Sequence, residues 1–173
     1  LILNDDTTVA EPEPITRLLE IAQNPGVGIT GAKLTYPDGR LQHVGMVMLP
    51  SGPTHPWIAK GGNEYGYFGA TLTPRNYSAV TAAAFLVRTE LFDQLGGFDT
   101  LFARDFNDVD FCLRMRDSGY RVAWTPYAHF THHEGASIIR KKSDPRELSL
   151  FQQRWATKYQ VDPYYSTALK SDL

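Results

Sequence analysis

The stretch Phe106-Asn107-Asp108-Val109-Asp110-Phe111-Cys112-Leu113-Arg114 constrains the fold more than any other. Val109, Cys112, Leu113 and Arg116 recur at helical spacing, and Phe111 and Met115 widen the apolar face. Asn107 or Asp108 can cap the start, where a short polar side chain accepts from free backbone N–H groups. Ser118-Gly119 ends the helix, glycine being the residue that takes the left-handed position beyond a helix terminus. Asp108 is thereby held on a rigid element at its open end, as a catalytic carboxylate should be. Asp110 can pair with Arg114 four residues on. Acids in a first turn are also favoured by the helix dipole alone, so this stretch by itself does not separate capping from catalysis.

The chain has 173 residues, the size of one domain, and its 42% hydrophobic content can fill a core. A net charge of −2 gives no general pull toward nucleic acid or an anionic membrane. A single cysteine, Cys112, excludes an internal disulfide framework and a cysteine-based zinc site. No apolar run reaches membrane-spanning length and no signal peptide is visible, so a reducing, cytoplasmic setting is expected. Leu1-Ile2-Leu3 reads as a buried parallel strand without neighbours on its N-terminal side, as if an N-terminal part were missing. Such a strand would also leave an unpaired edge, which invites a homodimer.

That strand runs into Asn4-Asp5-Asp6-Thr7, which places carboxylates at the carboxyl edge of a sheet, where open α/β sheets bind ligands. Carboxylate oxygens suit hard divalent cations; a plain polar turn is the competing explanation. A helix follows around Ile15, Leu18, Leu19 and Ala22, stopped by Asn24-Pro25-Gly26. Residues 27–36 and 41–49 read as strands joined by Pro37-Asp38-Gly39, a hairpin. His43 lies in the second strand and reads as structural, with no acid or second histidine close in sequence. Residues 50–76 have no clear period. Their glycines and aromatics (Trp57, Tyr65, Tyr67, Phe68) fit a binding lid or a packed-down surface excursion.

Residues 79–87 read as a buried strand, and 90–95 as a short helix capped by Thr89 and closed by Gly96-Gly97. A strand over 120–124 is expected to stop at Pro126. His129, His132 and His133 crowd into five residues and suggest a metal ligand or a phosphate contact. In an extended segment neighbours face opposite ways, so His132 and His133 cannot both serve one site without a bend. Arg140-Lys141-Lys142 could close on phosphates, although a lone basic triplet is more often a solvated loop. Pro145 opens a last helix with Leu148, Phe151, Trp155 and Tyr159 as its stripe.

The order of these parts resembles the C-terminal two thirds of family-2 glycosyltransferases with the GT-A fold, from Leu1 to about Tyr165. The parts are Asn-Asp-Asp-Thr, Tyr-Pro-Asp-Gly, a small-residue strand, Gly-Gly-Phe-Asp, Asn-Asp-Val-Asp-Phe-Cys-Leu-Arg, Gly-Tyr-Arg-Val and a late histidine. The resemblance implies an α/β fold with a mixed central sheet flanked by helices. The chain would be a single partial catalytic domain over 1–173, closed by the helix and tail at 144–173 and lacking the nucleotide-binding part before Leu1. It implies that Asn4, Asp5 and Asp6 stand at the family's Asp-x-Asp position, with Asp6 on a Mn2+ or Mg2+ ion and Asp5 toward the donor ribose or the metal's waters. Asp108 matches the catalytic base, His132 rather than His133 the histidine that reaches metal or diphosphate, and Arg140 a donor contact. Asn4 and Asn107 depart from the acids usual at those positions. Gln152-Gln153-Arg154-Trp155 lacks the Gln-x-x-Arg-Trp spacing of processive synthases, since Phe151 stands three before Arg154.

The implied activity is inverting, metal-dependent, non-processive transfer of a sugar from a UDP-, dTDP- or GDP-linked donor to a saccharide or glycolipid acceptor. That acceptor would be met in the cytoplasm or at the inner face of the membrane. Without its donor half the chain alone is expected to be weak or inactive. Two other classes compete: a non-catalytic glycosyltransferase-like binding or scaffolding module, and a metal-dependent phosphoesterase or zinc hydrolase built on His129, His132, His133 and the acids.

Overall fold

A computed structural model describes residues 1–133, 143–166 and 168–169. Its main sheet has seven strands: β1 (Ile2–Leu3), β2 (Thr7–Val9), β3 (Val27–Thr35), β4 (Leu41–His43), β7 (Arg75–Tyr77), β8 (Ala84–Val87) and β9 (Arg121–His132). The order is β1-β8-β3-β9-β2, with β4 added to β3 and β7 to β9. β3 and β9 run parallel and every other pairing in this sheet is antiparallel, so the sheet is mixed. β5 (Val47–Leu49) and β6 (Gly52–Thr54) form a separate hairpin. Among the described residues the α-helices are α1 (Pro14–Ala22), α2 (Thr89–Gln94), α3 (Asn107–Asp117) and α4 (Pro145–Trp155), with a short 3-10 turn at Tyr67–Gly69.

The faces of the sheet carry two cores. On one, Leu18 of α1 packs with Ala32, Leu34, Ala84 and Phe130. On the other, Ile29, Phe85, Val122 and Trp124 meet Leu91 of α2, Phe111, Leu113 and Met115 of α3, and Phe151 and Trp155 of α4. The approach is close: a Cβ on Gly28 would fall 2.4 Å from Met115 Sδ, so that strand position requires glycine to admit α3.

Several expectations change at this level. Leu1-Ile2-Leu3 is no buried parallel strand; β1 is an antiparallel edge strand on β8, with Leu1 and Leu3 exposed. The strand expected over 41–49 is broken at Gly45 (φ +95°), where a Cβ would lie 2.2 Å from the Tyr77 ring. The strand expected over 79–87 begins only at Ala84, and residues 78–83 form a connector with a β-bridge from Met46 to Ala79. α3 is preceded by Phe106 in the left-handed region (φ 65°) rather than capped by a side chain. The Phe106 ring instead stacks on Phe151 at 4.9 Å, which anchors the turn to α4. Gly119 takes the left-handed position expected beyond the helix end (φ +88°).

The largest departure is β9. It does not stop at Pro126 but bulges there: Ala32 pairs with Thr125, and Lys33 with His129. Proline cannot donate to the ladder, and three residues, 126–128, are looped out. An odd insertion turns the strand over. Val122 and Trp124 therefore face the larger core, whereas Phe130, of the same parity, faces the smaller one. His132, two residues further, lies on Phe130's side.

Candidate functional site

The Asn4-Asp5-Asp6-Thr7 segment is a turn between β1 and β2, closed by the Thr7 N–H donating to Asn4 O at 3.2 Å. β2 then pairs antiparallel with the end of β9, Thr7 opposite His132. The His133 N–H donates to Asp6 O at 2.9 Å, so the pairing extends one residue beyond the ladder. This register sets Asp6 beside His132, with Oδ1 3.0 Å from Nε2.

The surroundings of His132 fix the orientation of its ring. Nδ1 lies 2.7 Å from Gln42 Oε1, and an amide oxygen only accepts, so Nδ1 carries the proton. Nε2 lies 3.0 Å from Asp6 Oδ1 and 3.3 Å from Asn4 Nδ2. Asp6 Oδ1 is buried, and its contact among the described residues is His132 Nε2 at 3.0 Å. A proton on Nε2 closes that gap as an ion pair, and a divalent cation could bridge it instead, since the other ring nitrogen is engaged by Gln42 as in metal-ligating histidines. Among the described residues no three His, Cys, Asp or Glu side chains converge into a metal cage. Asp6 and His132 are thus two candidate ligands, a number that would suit an ion completing its shell with phosphates and water. Asp5 is exposed at the turn.

The other two histidines diverge. His129 bonds Thr35 Oγ1 at 3.0 Å and faces Glu11 at 3.4 Å, and burial holds its pKa below the ordinary value. His133 meets Thr8 Oγ1 at 3.2 Å. A zinc centre built on all three histidines does not form. Arg140 lies outside the described residues.

Asp108 approaches from the other side of the connector. Its Oδ2 accepts the Ala82 N–H at 3.1 Å and its Oδ1 the Val109 N–H at 2.8 Å. Asn107 Oδ1 accepts the Asp108 N–H at 2.8 Å, the one role the structure gives it. The connector binds the edge as well: Ala83 O accepts from the Asn4 N–H at 3.0 Å and from Thr7 Oγ1 at 3.4 Å. Two consecutive residues, Ala82 and Ala83, thus tie Asp108 to the Asn4–Thr7 turn.

Sequence reasoning missed part of this surface. His43 is no isolated core histidine. Its Nε2 accepts the Thr81 N–H at 3.4 Å, and its Nδ1 lies 3.0 Å from His55 Nδ1. Burial, then the neighbouring His55 and His132, holds its pKa well below the ordinary value, so it is neutral. Gln42 was missed as the group that sets His132. No local signal marks either; only the hairpin through β5 and β6 brings His55 to His43.

Asp110 behaves differently. It is wholly buried and accepts from Arg114 Nε (2.8 Å), Arg154 NH1 (2.8 Å) and Trp155 Nε1 (2.9 Å). The Arg114 pair is the one expected at four-residue spacing; the α4 partners were not foreseen. Arg154 also bonds Asp99, and Arg114 the carbonyls of Leu95 and Gly97.

The fold and site together define a mixed α/β sheet with a carboxylate–histidine pair at one edge and a second carboxylate across a shared connector. No family model matches the chain. The chain is 39% identical over 176 residues to the uncharacterized protein y4gI of Sinorhizobium fredii, covering 97% of this chain and 19% of that protein. It is 40% identical over 174 residues to the O-antigen biosynthesis protein RfbC of Myxococcus xanthus, covering 98% of this chain and 14% of that protein. It is 30% identical over 144 residues to the N-acetylglucosaminyl-diphospho-decaprenol L-rhamnosyltransferase of Mycobacterium tuberculosis, covering 75% of this chain and 45% of that protein. The chain thus spans less than half the length of these relatives. One is named for O-antigen biosynthesis and one as a rhamnosyltransferase, so the similarity supports the resemblance to glycosyltransferases that the motifs carry. No described helix is long and apolar enough to cross a membrane.

Proposed function

We propose that this chain is catalytic-domain sequence of a family-2 glycosyltransferase of the GT-A fold, moving a sugar from a nucleotide-diphosphate donor to a hydroxyl of a saccharide or glycolipid acceptor. The observation that carries it is the buried Asp6 Oδ1 set 3.0 Å from His132 Nε2, two connector residues from Asp108. Asp6 and His132 would hold Mn2+ or Mg2+, which when bound supplies positive charge against the leaving diphosphate; the imidazole favours Mn2+. Asp108, fixed by two backbone N–H groups, accepts the proton of the acceptor hydroxyl. The hydroxyl oxygen bonds the anomeric carbon as the bond to the diphosphate oxygen breaks, and the nucleoside diphosphate leaves with the electron pair. One displacement inverts configuration. The Gln152-Gln153-Arg154-Trp155 spacing supports non-processive transfer.

The test is calorimetric titration of UDP-, dTDP- and GDP-sugars with Mn2+ into this chain and into a version extended at its N-terminus. The expected result is Mn2+-dependent binding in the extended version that Asp6→Ala abolishes. Asp108→Asn should retain that binding and slow transfer about 10²- to 10⁴-fold. Absence of Mn2+-dependent binding of every donor in both versions overturns the proposal and leaves a binding or scaffolding module.

A further inference from the structure

A cleft of about 620 Å³ opens away from the Asp6 edge, between the loop carrying Trp57, Tyr67 and Phe68, the strand carrying Arg75 and Tyr77, and the tail around Tyr164. We infer that it is a saccharide subsite that holds the acceptor chain, so that the acceptor is an oligosaccharide gripped several sugars from the reacting hydroxyl. The inference rests on the glycosyltransferase function proposed above.

Three observations carry it. The first is the display of Phe68, 99% exposed on a turn that nothing buries. That turn is built to hold it. Phe68 itself takes a left-handed backbone (φ 54°) between Gly66 (φ +61°) and Gly69 (φ +71°). Gly66 lies against the Trp57 indole, where a Cβ would come within 3.0 Å, and its N–H donates to Glu64 Oε1 at 3.1 Å. Thr71 Oγ1 donates to Glu64 O, and Trp57 packs edge-on to Tyr67 at 6.2 Å. A large ring held in water by a non-glycine left-handed residue costs the fold free energy without return from packing. Flat apolar rings beside polar groups suit the C–H faces of sugars.

The second is Tyr77 at the cleft wall. Its side chain is 1% exposed and its hydroxyl has no hydrogen-bond partner among the described residues. Gly45 presses on one face of the ring and Trp124 meets it edge-on at 6.2 Å, so the phenol is fixed in direction. The hydroxyl feels the charges of Arg75 and Asp162, both lining the cleft, while burial pushes its pKa up. The Arg75 guanidinium lies 5.7 Å over the same ring. A buried hydroxyl left unmet costs about 1–3 kcal/mol, and a sugar hydroxyl meets it.

The third is placement. Trp57 stands two residues from His55, which contacts His43 beside the connector. The segment 55–57 thus links one wall of the cleft to the connector that Asp108 also binds. A bilayer fits less well: the aromatics line a concavity with a guanidinium and a phenol in its wall, and the net charge is −2.

The probes are an array of bacterial O-polysaccharide fragments and linear oligosaccharides of three to six sugars, and phosphatidylglycerol vesicles. The chain should be retained by at least one oligosaccharide series and not by vesicles. Phe68→Ala and Arg75→Ala should each weaken retention about tenfold, and Tyr77→Phe about threefold. Tyr65→Ser, exposed but outside the cleft, should leave it unchanged. Tyr77→Phe removes only the unmet hydroxyl, so a purely structural Tyr77 would lose no affinity. No retention, retention indifferent to the three variants, or vesicle binding lost in Phe68→Ala overturns the inference. Nucleotide-sugar binding without glycan retention sinks the cleft alone. Glycan retention without nucleotide-sugar binding in any version sinks the transferase and keeps the cleft as a glycan site.

Discussion

Asp110 and Asp6 both have carboxylate oxygen withdrawn from water, and the two regions around them differ in how that oxygen is met. Around Asp110 three donors from two helices meet the carboxylate, and each donor group is bound again elsewhere or packed. At the edge of β2, Asp6 Oδ1 meets a single group among the described residues, His132 Nε2 at 3.0 Å. A saturated carboxylate holds the fold together; an unsaturated one is a place for a cation or a ligand. Asp108 stands between the two cases, held by backbone N–H groups yet half-exposed. One motif therefore supplies both a structural acid and a candidate catalytic one, two residues apart.

The contrast breaks most sharply at Asp110. Asp110→Ala removes the shared acceptor and leaves Arg114 and Arg154 facing each other, with the Trp155 indole N–H unmet. The expected cost is about 3–5 kcal/mol, because breaking a buried charge network strands its partners. Urea denaturation should show the midpoint collapse, and loss below 1 kcal/mol would mean that α3 and α4 are held by apolar packing alone.

The second measurement is stability against pH, which reports the polar surface behind the site. His43 titrates well below the ordinary histidine range in the fold and in that range when unfolded. Below about pH 6.5 the unfolded chain therefore binds a proton that the folded chain refuses, and stability falls as pH drops from 7 toward 5. The slope is about 1.4 kcal/mol per pH unit for one such proton. His129, lowered by burial, acts in the same direction. Asp99 is lowered chiefly by the Leu101 N–H and then by Arg154, and its contribution is lost only at more acid pH, so it does not blur this window. His43→Gln should flatten the slope in thermal melts between pH 7 and 5; an unchanged slope would place the titration elsewhere.

How much of this was legible in the sequence follows from which signals are local. The α3 helix, its Gly119 stop, the Asp110–Arg114 pair and the Pro37-Asp38-Gly39 turn rest on spacing within a few residues, and they are present. The mixed α/β sheet also agrees with the sequence pattern. The run past Pro126 was not legible, because a bulge depends on the partner strand, and that bulge decides which face of the sheet His132 serves. The separation of His129 and His133 from His132 follows from strand alternation once the strand is known. Gln42, His55, Arg154 and Trp155 reach their partners across 90, 12, 44 and 45 residues, beyond any periodic signal.

The smallest expected effect is the most diagnostic, because its size separates the two regions. Asp6→Asn keeps the shape and replaces the carboxylate that stands 3.0 Å from His132 Nε2 with a neutral amide. Without metal the variant should lose no more than about 0.5–1.5 kcal/mol, the net worth of one hydrogen bond. At Asp110 the same Asp→Asn change must destabilise, since it removes the charge on which two guanidiniums converge. Melts of both variants in chelator, then in Mn2+, read this directly. Mn2+ should raise the wild-type midpoint and leave Asp6→Asn unmoved, since an ion that binds only the folded state stabilises it by mass action. If Asp6→Asn is destabilised in chelator as strongly as Asp110→Asn, Asp6 is a structural partner of His132 and the edge is no different in kind from the Asp110 network.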